Sequence, residues 1–329
     1  MKAIRYDRYG SPDVLELHDV DPPAVGDDDV LVSVKAAAVN PLDFHFMRGT
    51  PYVVRSMSGL SRPKPIGMGA DLAGCVEAVG RNVTRLRPGD EVFGGRAKPE
   101  ARSAAFAEYA CFHQDAMLLK KPINLTFEEA AAIPVAALSA LQALRDKARV
   151  RAGQRVLVNG AGGGVGTFAV QLAKAYGAEV TGVCSTGNVE MVRSIGADHV
   201  VDYTRDDVTR AGRRYDAMID MVGNHSLSAI RRVLAPKGVL VAVGGPVKGL
   251  WLGPFTGPLK LMALSVVMSQ RLAPILSRTS SEDLELLRDF AEAGKITPVI
   301  DRTYPLKELP EAVRYLEKGH ARGKVVITI

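Results

Sequence analysis

The stretch Val156-Leu-Val-Asn-Gly-Ala-Gly-Gly-Gly-Val-Gly166 decides the fold. It begins as a short apolar strand, turns through a run of glycines and leads into residues 167–176, whose amphipathic pattern predicts a helix. In dinucleotide-binding folds such a turn lets backbone N–H groups approach a pyrophosphate at the helix N-terminus. We therefore predict cofactor contacts along this loop, from Gly160, Gly162, Gly163, Gly164, Val165 and Gly166.

The spacing of the glycines fits G-x-x-G-x-x-G, with Gly160, Gly163 and Gly166 at the three fixed positions. The more familiar G-x-G-x-x-G frame fails, because it would put Val165 at its last position. A glycine-rich loop alone is weak evidence. Here it follows a buried-type strand and opens a helix, which is the context that a phosphate-binding turn requires.

Strands and helices alternate beyond this loop, with strand patterns at 155–159, 179–183, 199–202, 216–220 and 238–244. Such alternation predicts a parallel, doubly wound sheet of the Rossmann type. Ligands of these sheets bind at the carboxyl ends of the strands. The turns after two later strands therefore join the predicted cofactor site, at Val222, Gly223, Val243 and Gly244.

The two ends of the chain have a different character. Alternating runs at 30–35 and 74–80, separated by Pro and Gly turns, predict the short strands of a β-rich, partly open barrel. This character returns after Gly294 and ends in a strand at 324–329. We expect an α/β protein in which a Rossmann domain is inserted into a β-rich domain. The predicted boundaries are 1–120 plus 296–329 for the β-rich domain and 121–295 for the Rossmann domain.

Composition excludes several classes of protein. The chain has 329 residues with a net charge of +6, and its basic residues are scattered without interleaved aromatics, so nucleic acid is not an expected partner. Three distant cysteines suit a reducing compartment. The longest apolar stretch, 249–276, contains prolines, Lys260 and Arg271, so we expect no membrane span. The interpretation is a soluble, cytoplasmic protein.

The end of the second Rossmann strand bears on the choice of cofactor. NAD-binding sites usually place an acid there for the ribose 2′-hydroxyl. This chain instead has the neutral groups of Ser185, Thr186 and Asn188, which admit a 2′-phosphate without repulsion and favour NADPH. No Lys or Arg lies between residues 179 and 192, so the C-terminal turn at 322–324 could supply the charge, through Lys324.

Four motifs together resemble the zinc-independent medium-chain dehydrogenases/reductases of the quinone oxidoreductase type, related to zeta-crystallin. They are Ala38-Val-Asn-Pro-Leu-Asp43, Gly69-Ala-Asp-Leu-Ala-Gly74, the glycine loop, and Gly196-Ala-Asp-His-Val-Val-Asp-Tyr203. The resemblance implies a GroES-like catalytic domain, an NADPH-binding domain with a cleft beside it, and a homodimer. It also implies that Tyr203 lies near the adenine or 2′-phosphate and Ser139 near the nicotinamide half.

Zinc-dependent relatives carry a Cys within the segment matching 39–43 and a Gly-His-Glu near 67–71. This chain has Asn40 and Gly67-Met-Gly-Ala-Asp71 at those places, and no Cys between 76 and 110 where their structural zinc lobe would lie. Zinc needs three or four N, O or S ligands, so we expect no metal. Without one, the easiest reaction is hydride addition to an electron-poor π system such as a quinone or an enone.

Three side chains of the first domain are candidate catalytic residues: Asn40, His45 and Tyr52. The Asn40 amide could hold the substrate oxygen or cap a turn, while His45 could donate a proton or simply pack. Tyr52 could present its phenol to the substrate. The leading hypothesis is an NADPH-dependent, zinc-free reductase of quinones or α,β-unsaturated carbonyls. The alternatives are an NAD(P)-dependent alcohol dehydrogenase and an NADPH-binding regulatory or scaffold protein without turnover.

Overall fold

A computed structural model of the protein describes residues 1–64, 67–95, 101–244 and 269–329. The chain divides into two compact units. The first comprises residues 1–135, 278–294 and 298–329, and the second comprises residues 136–277 and 295–297. Most of the long apolar stretch, from 249 to 268, lies outside the described residues. Within the described ranges no helix is both long and apolar enough to cross a bilayer.

The first unit is built on β-sheet. A two-stranded sheet pairs β1 (Lys2–Arg5) with β2 (Glu16–Asp19). The main sheet has the order β14-β15-β3-β4-β5-β7, with β6 also paired to β3. Its strands are β3 (Asp29–Val39), β4 (Asp71–Val79), β5 (Glu91–Gly95), β6 (Tyr109–His113), β7 (Met117–Lys120), β14 (Ile300–Pro305) and β15 (Lys324–Thr328). Because β15 pairs with β3 along residues 325–328 and 36–39, the C-terminal segment completes a sheet begun near the N-terminus.

Short helices connect or cover these strands. They are α1 (Pro41–Arg48), α2 (Arg55–Ser58) and α3 (Phe127–Ala131), followed later in the chain by α8 (Ser281–Glu292) and α9 (Leu309–Glu317). Helix α3 begins with a capping box of Thr126 and Glu129, whose side chains each accept the other's backbone N–H. The helix α4 (Pro134–Gln142) follows and leads into a six-residue π-helical turn, Ala143–Ala148.

The second unit is a parallel, doubly wound sheet, as predicted. Its strands are β8 (Arg155–Asn159), β9 (Glu179–Cys184), β10 (His199–Asp202), β11 (Tyr215–Asp220), β12 (Leu234–Ala242) and β13 (Arg271–Pro274). They lie in the order β10-β9-β8-β11-β12-β13, and each neighbouring pair is parallel. The helices are α5 (Gly164–Ala175), α6 (Val189–Ser194) and α7 (Leu227–Val233). The order reverses between β8 and β11, where this fold binds its ligand.

The division of the chain differs from the predicted domain boundaries at both ends of the insertion. Residues 121–135 and helix α8 lie in the first unit, not with the Rossmann sheet. The physical reason is local hydrogen bonding: the Asn124 amide donates to the carbonyl of Ala291 at 3.0 Å, and the Ile123 N–H donates to Glu292. Helix α8 is therefore tied to the segment that follows β7. The alternation of strands and helices in the sequence does not reveal this pairing.

Candidate active site

The glycine loop of the second unit forms a tight turn between β8 and α5. Gly160 has φ +89°, a conformation that favours glycine, and its carbonyl accepts the N–H of Gly163 at 3.2 Å. A Cβ on Gly166 would stand 2.0 Å from the Gly160 carbonyl oxygen, so the turn and the first helical residues touch directly. These two glycines are required by the packing of the loop itself.

Gly163 has a different environment. It is the N-cap of α5 with φ −90°, and a Cβ there would meet only the Gly160 carbonyl oxygen, at 3.6 Å. Having no side chain, Gly163 leaves the first-turn N–H groups of α5 uncapped. An open space in front of free N–H groups and the positive end of a helix dipole suits a phosphate. The loop therefore fits the pyrophosphate of a dinucleotide.

A second observation also fits a nucleotide at this edge of the sheet. Within the described residues, the Oδ1 atom of Asn188 is buried and has no hydrogen-bond partner, while its Nδ2 contacts the Ser185 hydroxyl at 3.3 Å. Asn188 also packs against the loop, because a Cβ on Gly162 would lie 2.7 Å from its Nδ2 atom. An orphaned acceptor beside the glycine loop matches a donor such as a ribose hydroxyl.

The end of β10 brings the carboxylate of Asp202 next to the segment after β9, which itself contains no acidic residue between 185 and 188. The Thr186 hydroxyl donates to the Asp202 carboxylate at 2.6 Å and also contacts the Thr204 hydroxyl at 2.9 Å. The hydrogen bond from Thr186, and others from Thr204, hold the pKa of Asp202 below its usual value. Asp202 lies at the end of β10, opposite Cys184 of β9, so only the strand pairing reveals it.

A cation lies beside this carboxylate. The guanidinium of Arg205 is 3.7 Å from Asp202, and Tyr203, between the two, exposes 55% of its surface. The Thr186 hydroxyl uses its proton on Asp202, and Ser185, Tyr203 and Arg205 follow the same two strand ends. Arg205 was not predicted from the sequence, because a cation for the cofactor was expected either in the segment 179–192 or in the turn at 322–324.

The turns after β11 and β12 are organised around Asp220. Its carboxylate accepts the N–H groups of Val222 and Gly223, at 3.0 and 2.9 Å, and its carbonyl accepts those of Val243 and Gly244. The Asn159 amide at the end of β8 donates to the same carboxylate at 2.8 Å. Asp220 is 3% exposed. Asp220 thus fixes all four predicted turn residues at the carboxyl edge of the sheet, two through its carboxylate and two through its backbone carbonyl.

Ser139 belongs to helix α4 and is buried. Its hydroxyl donates to the hydroxyl of Ser277 at 3.1 Å, so this proton is used inside the second unit. The expected role beside the nicotinamide remains a prediction for Ser139.

The first unit contains a buried polar cluster centred on Asn40. The Nδ2 of Asn40 donates to the Ala38 carbonyl at 3.2 Å and to the Asp71 carboxylate at 2.9 Å. Its Oδ1 accepts from the ammonium of Lys324 at 2.7 Å. Both amide protons are therefore already used. Of the two roles considered for Asn40, holding the substrate oxygen would need a free donor that the amide lacks in this arrangement. Its position as the N-cap of α1 fits the turn-capping role.

Lys324 is the residue whose surroundings differ most from our expectation. It is 3% exposed, and besides Asn40 its ammonium faces Asp71, whose carboxylate lies 3.6 Å away and is fully buried. Since the charge of Lys324 is matched by a buried carboxylate, we correct its assignment to the 2′-phosphate: the lysine belongs to the Asn40 cluster. Burial lowers the pKa of Lys324 and raises that of Asp71, and their mutual attraction opposes both shifts.

His45 lies on helix α1, where its Nδ1 is 3.0 Å from the Thr50 carbonyl. A carbonyl can only accept, so Nδ1 carries the proton. Burial lowers the pKa of His45. The imidazole is therefore neutral near pH 7, and its Nε2 presents a lone pair. This geometry suits an acceptor, in contrast to the proton donor considered from the sequence.

Tyr52 begins a short 3₁₀ turn, Tyr52–Val54, beyond the Thr50 carbonyl that His45 contacts. The guanidinium of Arg55 lies 4.7 Å from the Tyr52 ring centroid and 4.6 Å from that of Tyr9. Its Nε also donates to the Gly49 carbonyl at 2.9 Å. The Arg55 side chain thus links the Tyr52 ring, on which it stacks, to the preceding turn at Gly49. No local sequence pattern predicts these contacts of Arg55, because Tyr9 is more than 40 residues away from Tyr52.

A two-segment β unit and a doubly wound unit with a phosphate-type glycine loop define a class of nucleotide-dependent oxidoreductases. Comparison with known proteins supports this class. Residues 26–123 match the model of the alcohol dehydrogenase GroES-like domain, and residues 195–327 match that of the zinc-binding dehydrogenases.

Proteins that match essentially the whole chain are also oxidoreductases. The 2-methylene-furan-3-one reductase of Solanum lycopersicum is 36% identical over 99% of this chain and 79% of its own length. The NADPH-dependent alkenal/one oxidoreductase of Arabidopsis thaliana is 33% identical over the same shares. The structure of the quinone oxidoreductase from Coxiella burnetii covers 100% of this chain and 99% of its own, with 32% identity and a TM-score of 0.85. The chain belongs to the medium-chain dehydrogenase/reductase superfamily, in its quinone oxidoreductase group.

Proposed function

We propose that the protein is an NADPH-dependent, zinc-free reductase of quinones or α,β-unsaturated carbonyl compounds, acting as a homodimer. Its named relatives include reductases of both substrate classes. The observation that carries the proposal is the Asn40 cluster. Where zinc enzymes of the superfamily gather metal ligands, this chain holds the Lys324 ammonium against Asp71 and Asn40.

A zinc ion does not fit this donor set. An amide with both protons in use, a single carboxylate and an ammonium do not supply the three or four N, O or S ligands that zinc requires. The positive charge that would face Asp71 is already provided by Lys324. Without a metal to polarise an alcohol or aldehyde oxygen, the substrates that react most easily are already electron-poor. Quinones and enones accept hydride at carbon and need only a proton at the resulting oxygen or carbon.

The residues of the second unit would hold the cofactor. The first-turn N–H groups of α5 would bind the pyrophosphate, Asn188 would accept from a ribose hydroxyl, and Arg205 with Ser185 would bind the 2′-phosphate. Hydride is the chemistry that a bound NADPH supplies. In the first unit, the Tyr52 hydroxyl or a water molecule supplies the proton, because neutral His45 offers only an acceptor at Nε2.

The decisive experiment measures oxidation of NADPH and of NADH against a panel of quinones, enones, aldehydes and alcohols. We expect turnover with NADPH and with quinones or enones, unaffected by a chelator. Turnover only with alcohols and NAD⁺, or loss of activity on chelation, would identify an alcohol dehydrogenase instead. Tight binding of NADPH without turnover of any panel member would support the regulatory alternative.

A further inference from the structure

Four arginines line one cavity of the second unit. The cavity has a volume of about 590 Å³ and is bounded by Thr209, Arg210, Gly212, Arg213, Arg214 and Arg232. Five of these residues precede strand β11, and Arg232 lies near the end of α7, just before β12. The cavity therefore lies at the amino edge of the parallel sheet. The glycine loop follows β8 and lies at the carboxyl edge, so the two sites are separate.

The arginines are only partly neutralised. Arg210 pairs with Asp207 at 3.3 Å, and Arg213 pairs with Glu179. In the part of the chain that the structure describes, neither Arg214 nor Arg232 has a carboxylate within ion-pairing distance. Arg214 instead donates to the Leu234 carbonyl at 3.3 Å, and both arginines are exposed. Two carboxylates facing four guanidinium groups leave two positive charges directed at one cavity.

The lining also keeps the space open. Gly212 has φ +71°, and a Cβ there would meet nothing within 4 Å. The Thr209 hydroxyl donates to Asp207 at 2.7 Å, which fixes the turn that carries Arg210. A guanidinium offers forked donors that match phosphate oxygens in pairs. The volume is in the range of small-molecule sites. Four arginines gathered around one space of this size form a compact cluster, which suits a small anion better than the extended basic stripe that binds a long polyanion.

We propose that this arginine cavity binds a small, soluble anion carrying at least two negative charges on phosphate groups. Arg214 and Arg232 contribute most of the affinity, because binding does not require them to leave a carboxylate partner. Arg210 and Arg213 define the walls and are held in place by Asp207 and Glu179. The site is independent of the proposed reductase activity.

Inorganic pyrophosphate is the probe, titrated calorimetrically into the full-length protein. The test variant is Arg214→Gln/Arg232→Gln. The matched control, Arg151→Gln/Arg193→Gln, removes the same charge from exposed arginines of the same unit. Gly163→Val serves as a third protein, because it blocks the glycine loop and leaves the cavity intact. Circular dichroism verifies that each variant is folded. If the double variant does not fold, the single variant Arg232→Gln takes its place in the titration.

We expect pyrophosphate to bind wild type, the control and Gly163→Val alike, and to bind the test variant at least tenfold more weakly. Three results would overturn the proposal. The first is no binding of pyrophosphate to wild type at millimolar concentration, and the second is equal weakening in test and control variants. The third is loss of binding in Gly163→Val, which would place the probe on the glycine loop. A parallel sedimentation assay uses vesicles containing phosphatidic acid; binding to vesicles without binding of free pyrophosphate would identify a lipid surface and reject a soluble ligand.

Discussion

The Nζ atom of Lys324 lies 2.7 Å from Oδ1 of Asn40, and this contact fixes which way the Asn40 amide points. With its oxygen held by the lysine, the amide nitrogen faces Asp71. The three side chains come from α1's N-cap, from β4 and from β15, so the cluster also joins distant segments of the first unit.

Removing Lys324 should therefore destabilise the protein strongly. Lys324→Met would leave Asp71 buried without its counter-charge, and breaking one partner of a buried pair costs about 3–5 kcal/mol. The free energy of unfolding in urea measures this loss. The double variant Asp71→Asn/Lys324→Met should be less destabilised than the sum of its two single variants. Additive effects would show that the pair is not coupled.

Gly163→Val should abolish tight cofactor binding while the fold persists. In the free protein the new Cβ meets only the Gly160 oxygen at 3.6 Å, an ordinary contact, but the side chain occupies the space in front of the helix N-terminus. We expect the affinity for NADPH, measured by fluorescence titration, to fall at least tenfold, with little change in melting temperature. Gly166→Ala is the contrasting variant: its Cβ would clash with the Gly160 oxygen at 2.0 Å, so stability should fall. Unchanged NADPH affinity in Gly163→Val would mean that the cofactor binds elsewhere.

Arg205→Gln should lower the affinity of the protein for NADPH and leave its affinity for NADH unchanged. A hydrogen bond to a charged group is worth roughly 1.5–3 kcal/mol, and an exposed arginine should contribute the lower figure, about tenfold in affinity. Arg193→Gln, another exposed arginine of the same unit, is the control. Ser185→Asp should reverse the preference by placing a carboxylate beside the ribose. Equal affinity of the wild type for NADH and NADPH would refute this assignment.

Arg55→Ala should loosen the Tyr52 turn. It removes two cation–π contacts, each worth about 0.5–2 kcal/mol, and one hydrogen bond to Gly49. We expect KM for the quinone or enone to rise several-fold, with NADPH affinity unchanged. Arg55→Lys should restore part of the effect. Tyr52→Phe separates the hydroxyl from the ring: a fall in kcat alone would support proton donation, whereas an unaltered kcat would leave water as the donor.

His45 should make stability depend on pH below neutrality. Burial lowers its pKa in the folded protein, so between that pKa and about 6.5 the unfolded chain binds more protons than the folded one. Stability contributed by the neutral imidazole is therefore lost as pH falls from about 6.5 to the folded pKa, by at most about 1.4 kcal/mol per pH unit. Urea unfolding of wild type and His45→Asn between pH 7 and 5 measures the difference. An identical pH dependence in the two proteins would contradict it.

The features that the sequence predicted well are local ones. The strand, glycine turn and helix from β8 to α5 occupy a single stretch of chain, and each part has its own pattern. The parallel, doubly wound sheet of the second unit follows from the alternation of strands and helices along the chain. The same reasoning identified the turns at Val222 and Val243, because the carboxyl ends of parallel strands meet at one edge.

The features that could not be predicted from the sequence depend on contacts between residues far apart in the chain. Lys324 and Asn40 are 284 positions apart, and nothing near either one indicates the other. Asp202 reaches Thr186 only because β10 lies beside β9 in a particular register. Helix α8 and the segment at 123–124 were both assigned to the Rossmann domain, whereas both lie in the first unit, and no sequence pattern shows that they belong there. Local periodicity specifies elements, whereas side-chain partners depend on tertiary arrangement.

The position of β15 between β14 and β3 has a consequence for biosynthesis. During translation β3 leaves the ribosome early, but its neighbour β15 follows almost three hundred residues later. The second unit, nearly continuous from 136 to 277, can fold while the ribosome is still making the rest of the chain. Until β15 is synthesised, residues 36–39 of β3 lack their partner strand and can join a strand of another nascent chain. The first unit thus begins to be synthesised before the second unit but is completed after it. We expect the nascent chain to depend most on molecular chaperones between the synthesis of β3 and that of β15.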